Sequence, residues 1–222
     1  MSSPIKANLK TEWLALTFIV LGFLAAGYFY QNFPAQVATH WNFQGEVDGY
    51  SSPFVAAFLF PILMLIMYLV FLILPYFDPK KEQYATFAPV YHQFKNIFLI
   101  FIFIIFLLTG INGLGYYVNI GLLMPLLVGG LFMLIGNLIK KVKMNWFMGI
   151  RTPWTLSSET VWRKTHELSS KVMIISGLLM IATLIMSPTG KLILFSLAIL
   201  LIVFVPIIYS YLLYRQEKNN HN

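Results

Sequence analysis

Residues 192–214 read LILFSLAILLIVFVPIIYSYLLY, a run without one Asp, Glu, Lys or Arg. At about 1.5 Å of rise per helical residue, it is long enough to cross about 30 Å of hydrocarbon. Backbone N–H and C=O groups have only one another in that medium, so the run must be a helix. Working outward, roughly 13–31, 54–77, 96–115, 120–139 and 172–187 share this character, the last being the shortest. A chain of 222 residues, 59% hydrophobic and 10% charged, with a mean hydropathy of +0.75, carries more apolar surface than a water-soluble core hides. The expected fold class is all-α: a polytopic membrane protein, a bundle of about six transmembrane helices forming one membrane domain over 1–222.

Charge sets the orientation. Lys and Arg stay preferentially on the cytoplasmic side of short loops. Lys6 and Lys10 precede span 1, Lys80, Lys81 and Lys95 lie between spans 2 and 3, seven cations fall within 140–171, and Arg215 and Lys218 follow span 6. Fourteen of the fifteen cations thus share one side and Lys191 stands alone on the other. Both termini are expected in the cytosol. The net charge of +7 is explained by this bias, without direct contact to nucleic acid. Lys6 and Lys10 before an apolar run also suggest a secretory signal peptide, but span 1 is about 19 residues long and lacks a clear small-residue cleavage site, so it reads as a retained anchor. The chain has no cysteine, which excludes disulfides and thiol catalysis.

Outside, only 32–53 is substantial; the connections 116–119 and 187–191 are too short to hold a site alone. The outer loop contains Thr39-His40-Trp41-Asn42-Phe43-Gln44-Gly45-Glu46-Val47-Asp48-Gly49-Tyr50. Two glycines with Asn, Asp and Glu make a compact turn, open to three readings: a turn held by side-chain hydrogen bonds, a recognition surface, or a metal site on His40, Glu46 and Asp48. The last lacks the second histidine that such a set usually has.

Inside, 78–95 places Tyr84, Phe87, Tyr91 and Phe94 at spacings of three and four, on one helical face. An interfacial helix is expected, its rings anchored in the headgroup layer or lining a groove for a partner. In 140–171, Ser157 is expected to cap a helix whose first turn carries Glu159. Val161, Thr165, Leu168 and Val172 share one face of it, and Arg163, Glu167 and Lys171 form a ladder on another, either a solvated face or a docking surface. Just before it, Gly149, Thr152 and Pro153 force a turn. Trp146 and Trp154 suit the headgroup layer, and Arg151 between them needs partners for five donors, supplied by lipid phosphate or by backbone carbonyls at helix ends. Thr109, Asn112, Asn137, Ser176, Thr183 and Ser196 are among the few polar side chains within the spans, expected to bond between helices. Pro61, Pro125 and Pro206 are expected to kink theirs.

At these residues a resemblance emerges. From Gly136-Asn137 through Lys140, Asn145 and Gly149-Ile150-Arg151-Thr152-Pro153-Trp154-Thr155-Leu156 to Trp162, Lys164, Thr165 and His166, the chain resembles the signature of the Sdp immunity-protein (SdpI) family. His40-Trp41-Asn42 with Gly45, Asp48, Gly49 and Tyr50 resembles the domain of unknown function that precedes that signature in many members. The resemblance implies a multi-pass protein of the bacterial cytoplasmic membrane that gives resistance to a secreted peptide toxin of the cannibalism type, and that also holds a cytosolic autorepressor at the membrane. It implies no enzyme activity and no cofactor. On this reading His40, Trp41, Asn42, Gly45, Asp48 and Tyr50 receive the toxin, while Asn137, Asn145, Trp146, Gly149, Arg151, Thr152, Pro153, Trp154, Trp162 and His166 serve the signalling partner. The alternatives are a permease for a small apolar or peptide substrate, with Asn112 and Asn137 along the path, and a membrane hydrolase with a metal at His40, Glu46 and Asp48.

Overall fold

The computed structural model describes Ile5 and residues 7–220; Lys6, counted above among the cytosolic charges, lies outside the described residues. In chain order the elements are helix α1 (Leu9–Asn32), strands β1 (Val37–Trp41) and β2 (Val47–Ser51), and helices α2 (Pro53–Phe77), α3 (Tyr84–Gly113), α4 (Ile120–Ile139), α5 (Pro153–Ser157), α6 (Glu159–Ala182) and α7 (Pro188–Asn219). Among the described residues, six helices are long and apolar enough to cross a membrane: α1 to α4, α6 and α7. The chain is a multi-pass membrane protein. The expected spans are all present, but the helices run past them: α1 begins before residue 13 and α3 well before 96. Two compact units divide the chain, one formed by residues 7–72 and 95–127, the other by 73–94 and 128–220.

In the first unit, Asn8 starts α1 by accepting from the N–H groups of Lys10 (2.9 Å) and Thr11 (3.2 Å), while its own N–H donates to the Thr11 hydroxyl. That reciprocal cap satisfies donors a first turn otherwise leaves orphaned. Ala15, Ile19, Ala26 and Phe29 of α1 then meet Ala57, Met64 and Tyr68 of α2 and Leu99, Ile102, Phe103 and Phe106 of α3 in the buried core. Phe18 packs edge-on against Phe103 at 5.0 Å, and Phe29 against Phe106 at 5.3 Å, near the distance aromatic quadrupoles favour. One feature of this core was not expected. Glu12 and Lys95, which sit just outside the sequence-defined spans, form an ion pair in which both residues are almost fully buried, and the Lys95 ammonium lies 5.4 Å from the centre of the Tyr68 ring.

The outer loop is a β-hairpin rather than a bare turn, so the all-α fold carries a small two-stranded sheet. β1 and β2 pair antiparallel, Val37 with Ser51 and Trp41 with Val47, with irregular register on either side of His40. At the tip, Gly45 adopts φ +85° and lies against Gly121 at the start of α4; a Cβ there meets the Gly121 Cα at 2.9 Å.

In the second unit, α4 and α6 approach closely. A Cβ on Gly129 meets the Gly177 carbonyl at 2.6 Å, one on Gly177 meets the Gly129 carbonyl at 2.5 Å, and one on Gly136 meets the Ser170 carbonyl at 2.9 Å. Small residues let the backbones touch where lipid supplies no hydrophobic drive. Two expectations are corrected here. Tyr84, Phe87, Tyr91 and Phe94 do not anchor in headgroups or line a groove: all four are buried in the protein, on a helix continuous with span 3 and bent at Phe87 (φ −127°, ψ 22°) two residues before Pro89. The polar residues of the spans do not show the expected bonds between helices: Thr109 donates to the Phe106 carbonyl and Thr183 to that of Met180, close in sequence, and the Ser176 hydroxyl is buried without a partner among the described residues.

Candidate functional site

The hairpin is built by its own side chains. Asn42 closes the tip, its Oδ1 accepting from the N–H groups of Gln44 and Glu46 (both 3.0 Å) and its Nδ2 donating to Glu46 Oε2 (3.0 Å). His40 Nδ1 and Asp48 Oδ1 lie 2.5 Å apart across the strands, both well exposed. The side-chain-bonded turn is therefore what forms. Glu46 is engaged with Asn42, not with the His40–Asp48 pair, and among the described residues no group of three or more His, Asp or Glu side chains is placed to hold a metal. Of the residues expected to receive a ligand, Tyr50, His40 and Asp48 are exposed, Trp41, Asn42 and Gly45 partly so.

The signature loop is organised around buried polar groups. Asn145 is fully buried; its Oδ1 accepts from the N–H groups of Phe147 (2.9 Å) and Met148 (2.6 Å), and its Nδ2 donates to the carbonyls of Lys143 (2.8 Å) and Met148 (3.0 Å). One side chain thus replaces the backbone pairing that an irregular buried segment lacks. Beside it, Asp78 accepts from the Tyr84 hydroxyl (2.8 Å), the Trp146 N–H (2.9 Å) and the Lys80 N–H (2.7 Å). Three donors compensate a carboxylate that is only 2% exposed. The Trp146 backbone is held on both sides of its Cα, because its carbonyl accepts from Arg151 Nη1 at 2.8 Å. Arg151 thus has a backbone carbonyl as partner, one supplied by the loop itself and not by a helix end.

Gly149 has φ +108° and faces a ring: a Cβ there comes within 2.5 Å of His166 Nε2 and 3.2 Å of Trp162. Any side chain is excluded twice over, by backbone conformation and by space. The Ile150 N–H donates to His166 Nε2 at 3.0 Å, so that nitrogen carries no proton and Nδ1–H donates to the Trp162 carbonyl at 2.8 Å. The His166 ring is fully buried. Trp162 stacks on it at 4.1 Å and donates from Nε1 to the Val142 carbonyl at 2.9 Å. Thr152 caps α5 in a reciprocal pair with Thr155 and meets the Ser210 hydroxyl at 3.1 Å, and Trp154 lies 5.0 Å from Tyr211. The helix after the turn is capped by Ser158, one residue later than expected, because Ser157 ends α5 and donates to the Trp154 carbonyl. Arg163 and Glu167 pair on its exposed face at 3.1 Å.

The structure thus brings together Asn145, Trp146, Gly149, Arg151, Thr152, Trp162 and His166. It leaves Asn137 exposed on α4 and the Trp146 ring, Pro153 and Arg151 on the surface. Asp78 and Tyr84, absent from the sequence-based set, are central to the loop. Their one sequence signal is an acid directly before Pro79 at the end of an apolar run.

Comparison with known proteins agrees with both halves. The SdpI/YfhL protein family matches residues 141–210, the stretch holding the buried network, and a Domain of unknown function (DUF1648) matches 17–65, which includes the hairpin. "Immunity protein SdpI" of Bacillus subtilis (strain 168) is 32% identical over 169 residues, 76% of this chain and 79% of that protein. No solved structure matches. With much of the signature held by buried polar groups and the likeness extending over most of both chains, this chain belongs to the SdpI/YfhL protein family.

Proposed function

We propose that the protein is an integral membrane immunity protein that gives resistance to a secreted peptide toxin. The observation that carries this reading is the 32% identity to the immunity protein of Bacillus subtilis through 79% of that protein's length. The distribution of Lys and Arg puts the hairpin outside, where the toxin arrives, and the signature loop in the cytosol. His40, Trp41, Asn42, Gly45, Asp48 and Tyr50 form the receiving surface. Asn137, Trp146, Arg151, Pro153 and Trp154 are the contacts offered to a cytosolic autorepressor, and Asn145, Gly149, Thr152, Trp162 and His166 fix the shape of the loop that presents them. No covalent step is involved. Reporting across the membrane requires that the peptide prefer one of two conformations; a tenfold bias corresponds to about 1.4 kcal/mol.

The test is expression in toxin-sensitive bacteria. Wild-type protein is expected to restore growth in toxin, and the double change His40→Ala with Asp48→Ala to lower protection at unchanged membrane abundance. Full protection by the double variant rejects the hairpin as the receiving surface. Saturable counterflow of labelled peptide in proteoliposomes decides instead for a permease.

A further inference from the structure

The inner face of the hairpin differs from its tip. Beneath it is a partly enclosed cavity of about 160 Å³, whose lining includes Val37, Thr39 and Ser51 from the hairpin, Ala56 and Leu59 from α2, and Thr109 from α3. Its walls are mostly apolar, and the hydroxyls among these six are already engaged. Thr39 and Ser51 bond each other at 2.9 Å, and Thr109 donates to the Phe106 carbonyl at 3.1 Å. The walls that remain are suited to an apolar guest, and a dry apolar cavity of about 150 Å³ accepts one the size of benzene.

We propose that this cavity is the seat of one bulky apolar side chain, the size of a phenyl ring, from the toxin peptide. The inference rests on the immunity reading above and moves the main contact from the polar tip of the hairpin to the space beneath it. Two features favour a side chain over a lipid tail. The volume holds about one ring and no long chain, and the roof is the hairpin, outside the apolar spans. The exposed His40, Asp48 and Tyr50 then meet the polar backbone of the same peptide.

The test fills the cavity from opposite walls with the group it is proposed to hold, using Ala56→Phe and Thr109→Phe separately. Purified full-length proteins in nanodiscs are titrated with labelled Sdp toxin peptide, and folding is checked by gel filtration and thermal denaturation. Each folded variant is expected to bind at least tenfold more weakly than wild type. If only one variant folds, it decides alone. Wild-type affinity in a folded variant overturns the proposal in favour of a lipid chain as occupant. No binding by the wild type also overturns it. Wild-type binding without resistance in cells sinks the immunity reading instead, and leaves the cavity to be judged by the two affinities.

Discussion

Arg151 is the exposed cation of the signature turn, and its guanidinium donates to the carbonyl of Trp146, the residue whose N–H is held by Asp78. Lysine keeps the charge but loses the planar fork of donors, so it tests geometry apart from attraction to lipid phosphate. Arg151→Lys is expected to lower toxin-dependent recruitment of the cytosolic partner, read as loss of a fluorescent repressor from the cell periphery, with a smaller loss of resistance. Full recruitment in both Arg151→Lys and Arg151→Ala means that this loop is not the output surface. How far such roles are legible depends on what a residue is paired with. Gly149, Thr152 and Pro153 announce a turn through their own backbone chemistry, and Arg151 through its surplus of donors. Asp78 and Glu12 announce nothing comparable. Their partners lie 68 and 83 positions away, in Trp146 and Lys95, and a charge at the edge of an apolar run reads as loop until the fold brings its counterpart near.

At the scale of elements, length and hydropathy suffice for the six spans, because hydrocarbon leaves the backbone no choice but helix. The hairpin is less legible. Its strands are five residues each and irregular in register, and the turn between them is closed in part by the Asn42 side chain. The four rings of 84–94 are placed correctly on one face, but whether protein or lipid covers that face is decided by packing. Close helix contact is a matter of single carbons, and α4 offers an internal control. Gly129 faces the Gly177 carbonyl, while nothing lies within 4 Å of a Cβ on the adjacent Gly130. Gly129→Ala is expected to destabilise the protein by about 1–3 kcal/mol through backbone displacement, whereas Gly130→Ala gains up to about 1 kcal/mol of helix propensity. Melting temperatures in detergent, followed by tryptophan fluorescence, read the two signs. Equal effects from the neighbouring changes are incompatible with this packing.

At the scale of the whole molecule, the prediction concerns sidedness. The chain contains no cysteine, so single cysteines at the exposed Gln44 and Lys164 report without background. An impermeant maleimide applied to intact cells is expected to label the first and spare the second, and to label both after lysis; labelling of both in intact cells refutes the orientation drawn from charge. The pair between Glu12 and Lys95 has a consequence for how this protein is made. Synthesis runs from the N-terminus, so α1 is delivered to the bilayer carrying a carboxylate whose countercharge has not yet been translated. A buried charge left without its partner costs about 3–5 kcal/mol, a cost α1 would meet if Glu12 were buried before the start of α3 leaves the ribosome. The first span therefore cannot settle into its final packing on its own account: it must wait with Glu12 in the interface until the third arrives. The pair thus acts as a timing mark that couples the docking of α1 to the appearance of α3.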